Sequence, residues 1–358
     1  MKMNFEDCLY YPALRSRAAE LAGLKQLDNE VKQEILPIIT LGKWPRSEDI
    51  QSSLDKSIDA MGDAPFILDL TREATHHNGS SLALQSDSDG FKAWRDFVSQ
   101  HEQIIPVVQI TKSTRLRDLV KQAKEFERSR ISLAFRISDF ESDTDRVISA
   151  MASIDRPENA LVIIDMGYIR NAVPMATSAA IRTINNVRDE IPEASICLIS
   201  TSFPQSVTSF AMNARGTNGT IDILERELYE SIGGRGVALY GDHSSIHSVV
   251  YPDSGGRYVP RIDLPLDDAW YFERRPDTTS EGYIDAAQAI LETHPWVAEQ
   301  SEWGAQMIRN AAQGNIEGMG SPAKWIAVRV NMHIARQLAL AKTLGQAEDD
   351  DEEFDADF

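Results

Sequence analysis

A (β/α)₈ TIM-like barrel is the fold class that this sequence predicts, on three observations. Eight short apolar, β-rich runs alternate with longer amphipathic stretches, the form of repeated βα units on a parallel sheet. Several of these runs, ALVIIDM and ASICLIS among them, are apolar nearly throughout, as strands covered on both faces must be. The length of 358 residues suits one such barrel plus an appendage. A doubly wound open sheet is the competing architecture, but seven successive βα units and one further strand fit closure better.

In order, the expected strands are Leu9–Arg15, Ile35–Leu41, Pro65–Leu70, Ile104–Ile110, Ile131–Ile137, Ala160–Met166, Ser195–Ser200 and Val237–Tyr240. The segment from Ser47, SEDIQSSLDKSIDAM, opens with capping chemistry and places Ile50, Leu54 and Ile58 on one helical face. Further helices are expected at Gly90–His101, Thr114–Arg128, Ser142–Ser153, Pro174–Glu190 and Thr220–Ile232. After the eighth strand, SSIHSVVYPDSGGRYVPRIDLPL reads as an irregular or hairpin-like excursion. Helices near Gly282–Glu292, Val297–Ala312 and Pro322–Leu344 follow. The expected organisation is a barrel core over 1–265, a C-terminal helical segment over 266–345 that packs on or caps it, and a disordered acidic tail over 346–358.

Composition narrows the functional classes. The hydrophobic fraction of 42% supports a packed interior, yet no apolar run approaches the roughly 20 residues that cross a bilayer. The opening MKMNFEDCLYYP has no apolar signal core, so a cytoplasmic protein is expected. Cys8 and Cys197 are far apart and in no zinc or redox spacing, which makes both candidate buried thiols. The net charge of −19 argues against nonspecific nucleic-acid binding, which needs positive surface to displace counterions. Part of that charge sits in EDDDEEFDADF, from Glu348 to Phe358, a run that reads as a solvating tail or as a ligand for a basic groove on a partner.

In α/β barrels the chemistry is built at the C-terminal ends of the strands. Those ends offer Arg15, Arg17, Lys43, Asp69, Arg72, Gln109, Lys112, Arg136, Asp139, Asp165, Ser200, Thr201, Ser202, Asp242 and His243. Asp69 in FILDL, Asp165 in VIIDM and Asp242 in LYGDH stand in or just past apolar strands, where an ionised carboxylate needs a partner. Two readings stay open. Arg15, Arg72 and Arg136 can neutralise these carboxylates in an ion network, or they can hold a substrate phosphate or carboxylate while Asp69 or Asp165 serves as general base. The candidate catalytic set is thus Asp69, Asp165 and Asp242, and the candidate ligand-binding set Arg15, Arg72, Gln109, Arg136, Ser200, Ser202 and His333.

Ser200-Thr201-Ser202 can present hydroxyls to an oxyanion or simply cap the next helix. His243 and His247 lie four apart without an HExxH signature, so no zinc site is assigned. Gly233, Gly234 and Gly236 precede a strand instead of following one, and no nicotinamide site is assigned. Neither a GxSxG elbow nor a Walker A sequence occurs. No cofactor is expected, Mg²⁺ on the aspartates being the one alternative.

YYPALRSRAAELAGLKQL followed by ILPIITL resembles the opening of the Beta protein family. FILDL, YGDHSSIH and GSPAKWIAVRVNMHIARQL resemble its later motifs, so the likeness spans nearly the whole chain. The matching positions are Tyr11, Pro12, Arg15, Glu20, Asp69, Asp242, Trp325 and His333, while Thr40 stands where the family pattern leads one to expect an acid. The resemblance implies a phage or bacterial setting, often beside mobile or defence genes. From it follow two expectations: a phage- or defence-associated barrel acting, by hydrolysis for instance, on a small anionic ligand, or a non-catalytic protein that recognises a phage component or host partner. Self-association is compatible with either.

Overall fold

A computed structural model of the chain describes residues 2–130, 132–213, 215, 217–250, 258–276 and 278–355, with side chains for all of these except 130 and 346–355. Its strands are β1 (Tyr11–Arg15), β2 (Ile38–Leu41), β3 (Phe66–Leu70), β4 (Ile104–Pro106), β5 (Leu133–Ile137), β6 (Ala160–Tyr168), β7 (Ser195–Thr201), an inserted β8 (Asn218–Asp222), β9 (Leu239–Asp242), β10 (Arg261–Pro265) and β11 (Ala269–Arg274). Eight of them pair in parallel in the order β4-β3-β2-β1-β9-β7-β6-β5. Pro106 has no N–H to donate and ends β4 early. Just beyond it, the Val107↔Ala134 bridge and the Val108 N–H, 2.8 Å from the Ala134 carbonyl, bring the two edges together into a nearly closed, barrel-like sheet.

Strand alternation sorts the side chains into two layers. Tyr11, Ala13, Ile38, Ile67, Ile105, Val107, Ala134, Leu161, Ile163, Cys197, Ile199 and Leu239 fill the interior, with Phe5 and Cys8 packed among them. Both cysteines are buried thiols. The alternate residues, such as Leu14, Ile39, Leu68, Phe135, Ile164 and Leu198, face the helices. Gly241 is an interior position with no room for more: a Cβ there would lie 2.5 Å from the Tyr11 carbonyl oxygen and 2.6 Å from the Ile199 methyl.

The helical layer comprises α1 (Ala18–Lys25), α2 (Asn29–Glu34), α3 (Gln51–Met61), α4 (Gly79–Leu84), α5 (Lys92–Ser99), α6 (Leu116–Arg130), α7 (Thr144–Met151), α8 (Val173–Glu190) and α9 (Glu225–Ser231). Further on come α10 (Gly282–Thr293), α11 (Trp303–Ala312) and α12 (Pro322–Asp355). α12 takes the remaining place in the ring: Gln337 accepts from the Arg226 guanidinium of α9, and Asn331 donates to the Gly23 carbonyl of α1 at 3.2 Å. Its upstream residues Trp325, Val328 and Met332 belong to a separate core with α10, α11, Ile262 and Leu264.

One expectation needs correction. The helix expected over Thr220–Ile232 begins only at Glu225, because Gly219 and Ile221 alternate with exposed neighbours and pair, as β8, antiparallel to β11. β10, β11 and β8 make a three-stranded sheet, and the β10–β11 hairpin spans the boundary expected at 265/266. The backbone of α12 continues helical to Asp355, through most of the stretch expected as an unstructured acidic tail. A run of Ala, Leu, Lys, Gln and Glu with no proline gives that backbone no local reason to stop. Residues 356–358 of that tail lie outside the described residues.

Candidate functional site

At the C-terminal end of the barrel-like sheet, the interior alternation brings in polar side chains. Arg15, Thr40, Asp69, Arg136, Asp165 and His243 line one cavity of about 180 Å³, together with Glu20, Arg72, Glu73 and Ser138. Arg136 is its centre. One guanidinium nitrogen donates to Asp69 and to Thr40 Oγ1, each at 3.0 Å, and the other donates to Asp165 at 2.6 Å. The remaining Asp69 oxygen accepts from Gln109 at 2.9 Å and from the Leu70 amide at 2.8 Å. The remaining Asp165 oxygen accepts from the Gly167 amide and from His243 Nε2, both at 2.9 Å.

Burial by itself would raise the Asp165 carboxyl, but His243 and Arg136 outweigh it and hold the group well below the usual carboxylate range. Burial would likewise lower the Arg136 guanidinium, and Asp165 and Asp69 instead raise it above its ordinary value. A carboxylate only accepts, so the hydrogen shared with Asp165 sits on His243 Nε2. In the neutral imidazole Nδ1 carries the lone pair, and Nδ1 has no protein partner among the described residues. In its neutral form His243 can accept a proton at Nδ1, with Asp165 fixing the ring from the other side.

Arg15 completes the wall. Its backbone amide and Nε are both taken by the Glu20 carboxylate, at 2.7 and 3.2 Å. One terminal nitrogen, Nη1, is buried without a hydrogen-bond partner. Arg72 is committed to Asp143 at 2.7 Å, Ser138 at 2.9 Å and the Arg136 carbonyl at 3.2 Å, which makes it a rim strut.

Four expected site positions fall elsewhere. Asp242 is 1% exposed and lies on the helix-facing side of β9, where Tyr10, Tyr240 at 3.1 Å, the Ser244 amide at 2.7 Å and His333 at 3.0 Å all donate to it. Burial would raise this carboxyl, but His333 and those hydrogen bonds keep it below its usual range. His333 is also 1% exposed, and the indole N–H of Trp270 donates to its Nδ1 at 3.2 Å. An indole can only donate, so the His333 hydrogen is on Nε2, toward Asp242. Ser202 is buried, its amide donating to Glu225 at 2.6 Å and its hydroxyl accepting from the Leu224 amide at 3.0 Å. The Ser200 carbonyl accepts from the His243 amide at 3.0 Å, and the residue is likewise buried on the helix side. Among the described residues, no group of three or more His, Cys, Asp or Glu side chains is placed to hold a metal ion.

Beyond the candidate sets, the cavity is also lined by Glu20, Thr40, Glu73, Ser138 and His243. The signal for His243 was available in the alternation: counting from Leu239 in the interior, Gly241 and His243 point inward and Asp242 does not.

No helix among the described residues is long and apolar enough to cross a membrane. The family model described as Beta protein matches residues 10–339. A protein named Protein beta, from Enterobacteria phage P4, is 54% identical over 353 residues, which is 99% of each chain. With a family match over most of its length and that relative alongside it, the chain belongs to the Beta protein family.

Proposed function

We propose that the sheet is a (β/α)₈ barrel of the TIM type, and that its mouth binds a small anionic ligand and hydrolyses it with His243 as proton acceptor. The observation that carries this reading is that Arg15, Arg136 and His243, the last oriented by Asp165, line one cavity. The Arg15 side chain is 21% exposed, and a guanidinium there suits an oxyanion in the cavity. Asp165 orients His243 and stabilises the imidazolium that forms when it takes a proton from water. Asp69 and Gln109 hold Arg136 in place. Arg136 occupies the position between Asp69 and Asp165 that a divalent cation would need, which supports chemistry without Mg²⁺. The phage origin of the similar protein supports action in the cytoplasm of a bacterial host, in phage biology or antiviral defence.

One observation favours a non-catalytic alternative, recognition of a phage component or host protein at the mouth. Arg136, Asp69 and Asp165 satisfy one another and need no ligand. The two readings separate with p-nitrophenyl phosphate and a panel of other phosphate monoesters. His243→Ala is expected to lower turnover by about 100-fold or more while affinity changes little, and Arg15→Gln to weaken binding. Equal turnover in wild type and His243→Ala would remove the catalytic reading, and retained binding would then leave recognition.

A further inference from the structure

Beside the mouth lies a second cavity, of about 350 Å³, lined by Arg15, Ser16, Arg17, Ala18, Thr40, Gly42, Lys43, Pro45, Thr71 and His76. Arg15, Thr40 and Thr71 belong to both walls, so the two cavities adjoin. The mouth mixes arginines with carboxylates, whereas this cavity has three cationic side chains and no carboxylate in its lining. In a chain of net charge −19 that is an unusual local balance. Neither the Arg17 guanidinium nor the Lys43 ammonium has an acidic partner among the described residues, and Arg15, paired with Glu20, lines the same wall. Ala18, the first residue of α1, also lines this cavity, and the N-cap residue Arg17 makes no side-chain cap.

We propose that this cavity is a phosphate subsite, and that the ligand of the mouth is a small phosphate monoester whose phosphoryl group sits among Arg15, Arg17 and Lys43. This rests on the reading of the mouth as a ligand site and names the ligand's class. Guanidinium and ammonium together suit a phosphate dianion: Arg15 offers a directional N–H fork and Lys43 a movable point charge. The electrostatics at His76 agree with this placement. Burial, and then Arg17, Arg15 and Lys43, hold that imidazole below its ordinary value, although Glu73, 3.5 Å away, pulls it upward.

Inorganic phosphate, titrated into the full chain by calorimetry and followed at His76 by NMR, tests the assignment. Binding is expected to raise the His76 titration midpoint, because a bound anion stabilises the imidazolium. The double variant Arg17→Gln/Lys43→Gln, both exposed positions, should weaken phosphate binding by about tenfold or more. Unaltered His76 titration on saturation with phosphate, or unaltered affinity in the double variant, would overturn the subsite. His243→Ala separates this from the mouth reading. If it alone disturbs monoester handling, the mouth stands and the subsite falls; if the double variant alone does, the subsite stands without a reacting mouth. A short single-stranded oligonucleotide that binds more tightly than every monoester would overturn the small-molecule class.

Discussion

Arg136→Met is expected to destabilise the protein by about 3–5 kcal/mol at neutral pH, because it leaves two buried carboxylates without their shared cation. Methionine keeps most of the side-chain volume, so the loss reports charge more than packing. The pH dependence gives the sign. In the folded wild type Asp165 is held well below the usual carboxylate range. Its contribution to stability is therefore complete above roughly pH 4, the ordinary carboxylate value, and drains away as pH falls toward the depressed folded-state value. Without Arg136, Asp165 loses one of the two charges that offset its burial, and its carboxyl takes up a proton more readily. The gap between wild type and variant should thus be widest near neutrality and shrink in acid. Urea denaturation from pH 7 down to 3 measures it, and a gap that stays constant or grows in acid would contradict the proposed burial of uncompensated charge.

Asp242→Ala should cost a comparable amount, about 3–5 kcal/mol, but for a different reason and without touching the ligand. It orphans the hydroxyls of Tyr10 and Tyr240, the Ser244 amide and His333 Nε2 in one step. His333 cannot escape by moving its hydrogen to Nδ1, because the Trp270 indole already points one there. Asp242→Asn should recover only part of the loss, since an amide N–H₂ would face those same donors. Thermal unfolding checks the stability effect, and phosphate affinity measured well below the transition checks the separation from the mouth. A change under about 1 kcal/mol for Asp242→Ala would show that the network contributes little beyond its exchange with water.

Much of this architecture is legible in the chain. All eight barrel-sheet strands lie where apolar β-rich runs place them, because strands buried on both faces cannot disguise their composition. β8 is not legible that way. NGTID pairs through Gly219 and Ile221 with a strand some fifty positions later, and only that partner tells it from the start of a helix. At the site, Arg15, Asp69, Arg136 and Asp165 converge as the strand-end positions imply. Asp242 and Ser200 do not, being at the opposite parity to the interior residues of their strands. The expected strand end at Tyr240 concealed this, whereas β9 runs from Leu239 to Asp242 and settles which neighbour looks inward. Lys43 and Arg17 lie past their strands, in loops whose course no local pattern announces.

The double membership of α12 bears on how the molecule comes into being. Val330, Ile334 and Leu338 sit in the core around the barrel-like sheet, while Trp325, Val328 and Met332 sit in the core with α10 and α11. During synthesis, the ring of helices lacks this member until the residues from Pro322 onward have been made. A nascent chain halted before Pro322 should therefore show no protease-resistant body, and a stable fragment at that stage would disprove the dependence. Completion of the last helix then closes both cores at once, so the protein passes from open to finished late and in one cooperative event.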